Sequence, residues 1–400
     1  MFQMLIALFS LFTLVKIYIS FAQMRYISKR RDMKPVLLED SIYKEAADYA
    51  VAKEKLSMLS ICIDYLLFLG WMFFGFRYLY VFLHPHFSEF FTSITFLFGY
   101  FTFEYIITLP ISIYQAFRLD KRFGFSNTTP RLFILDQIKS VLMFIVLGFA
   151  LFSILVWVID SFALWWLYAF FIVMGIMLVI NFLYPTIIAP LFNKFTPLED
   201  IILKEKIETL MVQAGMKANG VFVMDASKRD GRLNAFFGGI GKSKRVVLFD
   251  TLLEKLEHSE LIAVLGHELG HFRHGDIWKN ILLMSLMMFL AFFILGNIPN
   301  VLFESLGIAP IAGAKIAMIL ILFPLISFIW MPIISFFSRG FEYRADVYGS
   351  SVGGKEELVS ALLKLVSENK SFPLSHPLFV FFYYSHPPIV ERLRKLGLEV

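Results

Sequence analysis

His267, Glu268 and His271 stand together in the pentapeptide HELGH. Two histidines four residues apart share one face of a helix, so their ring nitrogens can hold one Zn²⁺ between them. Glu268 follows the first histidine and reaches a water on such a metal. Zinc lowers the pKa of a bound water to roughly 7, which lets a carboxylate take its proton near neutrality. The spacing therefore offers metal-assisted hydrolysis.

A catalytic zinc needs a third protein ligand. A third histidine at the metzincin spacing would fall on Ile277, which cannot ligate. His274 is rotated away from the His267/His271 edge and reads as a surface or supporting residue. The other source is a carboxylate on a later helix. FEYRAD supplies Glu342 and Asp346, four residues apart and on one helix face. Glu342 can ligate while Asp346 accepts the second ring N–H of a ligand histidine. Composition alone does not rank the two carboxylates, and His274 stays the next candidate. Three protein ligands leave one position open, as catalytic sites do, whereas structural zinc sites fill all four. His386 precedes Pro387 and Pro388, which hold it extended at the approach to a helix. As an N–H donor there it suits a tetrahedral oxyanion.

These residues need rigid elements to position them. The stretch HSELIAVLGHELGHFRHGD has helical spacing, with Ser259 as N-cap, Glu260 in the first turn and an end near Gly275. Before it, a helix is predicted over Pro197 to Ala214 and a strand over Val221 to Asp225. Leu233 to Phe237 and Arg245 to Phe249 then read as a hairpin about the glycines 238, 239 and 241. Such a hairpin can bind an extended peptide by strand addition.

The rest of the chain belongs to a membrane. Hydrophobic residues make up 58% and charged residues 17%, with 47 phenylalanines. A soluble domain runs nearer half apolar and a quarter charged. Lipid must solvate the surplus, which excludes a purely soluble enzyme, disorder and collagen. Cys62 is the only cysteine, so an intrachain disulfide framework and a multi-thiolate metal site are excluded too. Seven stretches are long and apolar enough to span: 2–22, 58–83, 91–117, 141–159, 164–185, 277–299 and 314–337. The run 2–22 reads as a span and not as a signal peptide, because its basic cluster follows it.

Seven spans put every basic segment on one side, which the positive-inside rule makes cytoplasmic. The net charge of +5 is thereby explained by topology, and no nucleic-acid partner is expected. The HELGH segment and Glu342 both face the cytoplasm, because two spans return the chain between them. The organisation is then five spans with cytoplasmic loops over 1–193, a metalloprotease segment over 194–276, a two-span hairpin over 277–337, and a cytoplasmic segment with the third ligand over 338–400. Lys16, Asp64, Arg77 and Glu104 lie inside spans. Lys16 and Asp64 sit at similar depth and can pair, Lys16 and Arg77 can snorkel, and mid-span Glu104 points to water within the membrane region.

SRGFEYRAD after HELGHFRHGD is similar to the integral-membrane zinc metalloproteases related to CAAX prenyl protease 1 and to HtpX. RFGFSNTTP (122–130), YPTIIAPLFNKFTPL (184–198), LNAFFGGIGKSKRVVLFDTLL (233–253) and SHPPIVERL (385–393) resemble the longer, seven-span CAAX prenyl protease 1 branch. The first hundred residues match it only in hydropathy and topology. The resemblance implies an all-α polytopic membrane protein with seven transmembrane helices and a small cytoplasmic α+β gluzincin-type zinc metalloprotease domain. It implies His267, His271 and Glu342 as ligands of one Zn²⁺, Glu268 as general base and Asp346 as support to a ligand. It also implies His386 as oxyanion donor and Asn234 on the strand edge that holds the substrate. Phe236 departs from the family's pattern by lacking a hydroxyl.

The implied activity is endopeptidase cleavage of C-terminal CAAX-type peptides, prenylated or not, beside the lipid bilayer. Two alternatives stand: an HtpX-like quality-control protease acting on misfolded membrane proteins, and a non-catalytic transporter or scaffold with structural zinc. The terminal GLEV is no obvious ER-retrieval signal, which favours a bacterial inner membrane, with the ER membrane the eukaryotic alternative.

Overall fold

The structure is a computed structural model that describes residues 1–216, 220–238 and 245–399. Seven helices among the described residues are long and apolar enough to cross a membrane. They are α1 (Phe2–Arg30), α2 (Asp40–Leu83), α3 (Glu89–Arg122), α4 (Pro130–Ser161), α5 (Trp165–Phe192), α8 (Asp276–Gly296) and α9 (Ala312–Gly353). Each includes most or all of one predicted apolar stretch, but several run well beyond it. Helix α2 begins at Asp40, eighteen residues before the apolar run, because the charged 40–57 segment is helical as well. Helix α9 continues unbroken through Pro324 and Pro332 as far as Gly353. Glu342 and Asp346 therefore ride on an extension of the last span, not on a helix that follows it.

Between α5 and α8 lies a small mixed layer. A strand β1 (Phe195–Pro197) is followed by α6 (Ile201–Gln213), then β2 (Val221–Met224), β3 (Ala235–Gly238) and β4 (Arg245–Phe249). The sheet order is β1-β2-β4-β3. β2 pairs parallel with β4, and β3 pairs antiparallel with β4, with Ala235 opposite Leu248. The predicted hairpin is thus present as a strand pair, while its turn glycines 239 and 241 lie outside the described residues. The predicted helix from Pro197 begins later. Pro197 pairs with Phe222 in the sheet, and the Asp200 side chain caps α6 by accepting from the Leu203 N–H at 2.8 Å.

Helix α7 (His258–Arg273) carries HELGH and packs under this sheet. Its N-cap is Glu257, not Ser259. Glu257 and Glu260 form a reciprocal capping box, with the Glu257 N–H donating to Glu260 Oε2 at 2.8 Å. Gly275 ends the helix at φ 66°, a left-handed conformation that glycine adopts without strain. Helices α10 (Lys355–Glu368), α11 (Pro377–Tyr383) and α12 (Ile389–Lys395) complete the chain.

Two large cores result. One is formed by the membrane helices around Phe76, Phe96, Leu97, Phe303 and Met318. The other lies between the sheet, α6 and α7, around Leu203, Ile207, Val246, Leu248 and Leu265. Lys16, Asp64 and Glu104 all face one cavity of about 280 Å³ among α1, α2, α3 and α9. Among the described residues no ion pair within 4 Å joins Lys16 to Asp64, and Glu104 accepts a hydrogen bond from Trp71 Nε1 at 2.6 Å. Arg77 lies against Gly307, in the connection between α8 and α9.

Candidate functional site

The helices α7 and α9 approach each other through glycine. A Cβ on Gly349 would sit 2.8 Å from the His267 backbone N and 3.0 Å from the Ala263 carbonyl oxygen. A Cβ on Gly270 would sit 2.9 Å from the Ala345 Cα. Real side chains cannot occupy those distances, so the two backbones close to a separation that only small residues allow. Gly266 and Gly270 on one helix thus meet Ala345 and Gly349 on the other. Closeness of this kind is what lets a carboxylate on α9 reach imidazoles on α7.

His267, His271 and Glu342 converge, with one potential donor atom from each lying within 4.8 Å of the others. His267 Nε2 is 3.5 Å from Glu342 Oε2, and His271 Nε2 is 3.2 Å from Glu342 Oε1. Two donors on one tetrahedral zinc at bond lengths of about 2.0–2.1 Å stand about 3.4 Å apart. Glu342 is buried, and its Oε2 makes no hydrogen bond. A buried oxygen of that kind costs stability unless something satisfies it. The residues present therefore fit a metal ion of zinc type, and a two-histidine, one-carboxylate set suits zinc chemically.

Each ring nitrogen opposite the proposed metal face is held from behind. His267 Nδ1 donates to Asp346 Oδ1 at 2.8 Å. His271 Nδ1 faces Asp276 Oδ2 at 3.3 Å. These contacts leave Nε2 of both rings toward Glu342. Burial disfavours the charged form of His267, but Asp346 and Glu342 outweigh it and raise its pKa to about 9. The same negative charge beside the ring also attracts a divalent cation.

Two residues at the site carry no motif of their own. Arg392 grips Asp346 with both arms of its guanidinium, Nη2 to Oδ1 at 2.6 Å and Nε to Oδ2 at 2.8 Å. Its Nη1 also lies 3.5 Å from Glu342 Oε2. Asp276 is buried and is bound by Arg344 at 2.8 Å and by Lys279 at 3.0 Å. Sequence reasoning missed both. Arg392 lies in SHPPIVERL but has no fixed spacing from HELGH, and Asp276 closes the HSELIAVLGHELGHFRHGD stretch with no role assigned to it. The HGD run after HELGH was the available signal for Asp276.

Glu268, His271, Glu342 and His386 line one cavity of about 410 Å³. His386 Nε2 comes within 3.3 Å of Glu342 Oε1 while its side chain stays mostly exposed. His274 does not join them. Its Nδ1 meets the Gly270 carbonyl at 2.8 Å, at the C-terminus of α7. β3 is an edge strand of the sheet, and Phe236, Phe237 and Gly238 line the same cavity. Asn234 stands just before β3, exposed and outside the cavity lining. Its Oδ1 accepts from the Ala235 N–H at 2.8 Å, and its carbonyl accepts from the Phe249 N–H at 3.1 Å.

The chain is similar to known proteins along most of its length. A model of the CAAX prenyl protease N-terminal, five membrane helices, matches residues 23–194, and one of peptidase family M48 matches residues 197–399. The CAAX prenyl protease 1 homolog of Arabidopsis thaliana is 35% identical over 320 residues, covering 78% of this chain and 75% of that one. The homolog of Homo sapiens is 33% identical over 351 residues, covering 76% and 73%. A crystal structure of S. mikatae Ste24p superposes with a TM-score of 0.93 at 28% identity, over 100% of this chain and 99% of that one.

Proposed function

The chain belongs to peptidase family M48 and is an integral, multi-pass membrane metalloprotease; from that premise we propose that it is a zinc endopeptidase that cleaves C-terminal CAAX-type peptides carrying a prenyl group. The observation that carries the zinc reading is the convergence of His267 Nε2, His271 Nε2 and the unsatisfied Oε2 of buried Glu342. The substrate reading rests on relatives named as CAAX prenyl proteases, matched along most of the chain.

Zinc held by His267, His271 and Glu342 would supply Lewis-acid polarisation of the scissile carbonyl and a more acidic water. The chain's own residues do the rest. Asp346 and Asp276 fix the two imidazoles from behind, and Arg392 fixes Asp346. Glu268 takes a proton from the attacking water and delivers it to the leaving amine, so the carboxylate is restored at the end of each turnover. His386 presents Nε2 at the cavity and donates an N–H to the developing oxyanion. The free edge of β3 holds the substrate backbone extended across the cavity, with Asn234 placed where the strand begins. The clustering of Lys and Arg in the segments at one end of the spans supports a cytoplasmic active site.

Purified chain is tested with a farnesylated CAAX peptide and its unprenylated twin, alongside metal analysis. Cleavage of the prenylated peptide by zinc-loaded protein is expected. Cleavage of misfolded membrane proteins alone would favour the quality-control reading. No cleavage with zinc bound would favour a non-catalytic role.

A further inference from the structure

Helix α1 changes character along one face. Tyr18, Phe21, Arg25 and Lys29 follow one another at helical spacing, so aromatic side chains give way to cations on a single stripe. Tyr18 is 61% exposed and Phe21 is 44% exposed, as residues facing lipid are. The change falls where the apolar run ends and the polar segment begins.

A second wall makes this stripe a groove of about 300 Å³. Gln23 on α1 is buried and clasps the segment before α11. Its Oε1 accepts from the His376 N–H at 2.7 Å, and its Nε2 donates to Ser375 Oγ at 3.1 Å. His376 is thereby held edge-on to Tyr26, with ring centroids 5.7 Å apart. Arg30 stacks over the other side of that region, 3.5 Å from the Tyr26 ring centroid.

Charge in the groove is uncompensated. Among the described residues no carboxylate pairs with Arg25, Lys29 or Arg30. Arg31, the next residue, is bound by both Asp32 and Asp48. The chain supplies acid to the cation that faces away and none to those that face the groove.

We propose that this groove binds one anionic phospholipid, its phosphate held by Arg25, Lys29 and His376 and an acyl chain lying along Tyr18 and Phe21. Basic grooves at the end of a transmembrane helix attract anionic headgroups, and each cation near the surface contributes about a fivefold gain in affinity. A free phosphate would use the cations and leave the aromatic half of the groove unfilled.

Native mass spectrometry of the full chain in detergent tests this, with phosphatidylserine, phosphatidylcholine or inorganic phosphate added. One retained phosphatidylserine is expected, with phosphatidylcholine lost. Arg25→Gln with Lys29→Gln should weaken retention roughly 30-fold. Arg118→Gln with Arg131→Gln, a pair of exposed cations in another basic segment, should not change it. Equal weakening by both pairs would mean general surface charge and overturn the site. So would equal retention of phosphatidylcholine, no effect of the first pair, or complete displacement by millimolar phosphate.

Discussion

Arg392 and Asp346 form a two-pronged ion pair, with contacts of 2.6 and 2.8 Å, and the Asp346 oxygen that takes the shorter one also accepts from His267 Nδ1 at 2.8 Å. One carboxylate thereby ties a residue from near the C-terminus to the first histidine of HELGH. Removing the arginine would leave Asp346 buried without its counter-charge and free His267 to turn. Arg392→Met is expected to weaken zinc binding about 10–100-fold, as loss of a partner behind a ligand does, and to cost about 3 kcal/mol of stability. Arg392→Lys keeps the charge without the fork and should recover only part of it. Chelator competition and thermal unfolding on both variants check this.

Gly349 sets the distance between α7 and α9. A methyl group there would meet the backbone of His267 at 2.8 Å, which a side-chain rotation cannot relieve. Gly349→Ala should therefore part the helices and cost about 1–3 kcal/mol. Zinc affinity should fall with it, because Glu342 moves away from both imidazoles. A control at Gly175, where an added Cβ meets nothing within 4 Å, should be close to neutral.

Glu260 links the start of α7 to α10. It is buried and accepts from Ser360 at 2.6 Å, from Lys364 at 2.8 Å and from the Glu257 N–H at 2.8 Å. Burial pushes its carboxyl up, but these donors together hold it below its ordinary value of 4.5. A depressed folded pKa gives stability that is present above the unfolded pKa and is lost as pH falls through the folded one. Unfolding midpoints of wild type should therefore drop below about pH 4.5 more steeply than those of Glu260→Gln. At pH 7 the variant should be less stable by roughly 2 kcal/mol.

Glu342 and Asp346 are both carboxylates on one face of α9, and their roles separate by experiment. Glu342→Ala is expected to empty the site at zinc concentrations where Asp346→Ala still holds some metal. A graded chelator series compares them. Earlier loss from Asp346→Ala would reverse the two roles, and no loss from either would move the third ligand elsewhere.

Much of this was legible in the chain. Seven apolar runs announce seven spanning helices, because lipid demands about 20 apolar residues per crossing. The HELGH spacing announces one helix face carrying His267 and His271, which Glu342 meets from α9, and E-x-x-x-D announces paired carboxylates. What stayed hidden depends on contacts between distant segments. Arg392 reaches Asp346 only because α12 folds back across α9, and no periodicity encodes that. The parallel pairing of β2 with β4 skips β3, an order that alternation along each strand does not reveal. Polar stretches such as 40–57 hide helices because their stabilising partners lie elsewhere. Tyr43, Ala46 and Ala47 there are buried against Phe372 and Val366. Ser259 looked like the cap by residue type, but the reciprocal pair of Glu257 and Glu260 starts the helix earlier.

The central claim is that Glu268 handles the proton while His267, His271 and Glu342 hold the metal. Its most direct test is zinc content and prenylated-peptide turnover measured on one preparation of Glu268→Gln. The glutamine is nearly isosteric and cannot accept a proton, so the account predicts one zinc per chain with turnover reduced about 10²–10⁴-fold. Turnover at the wild-type rate with zinc in place would contradict it.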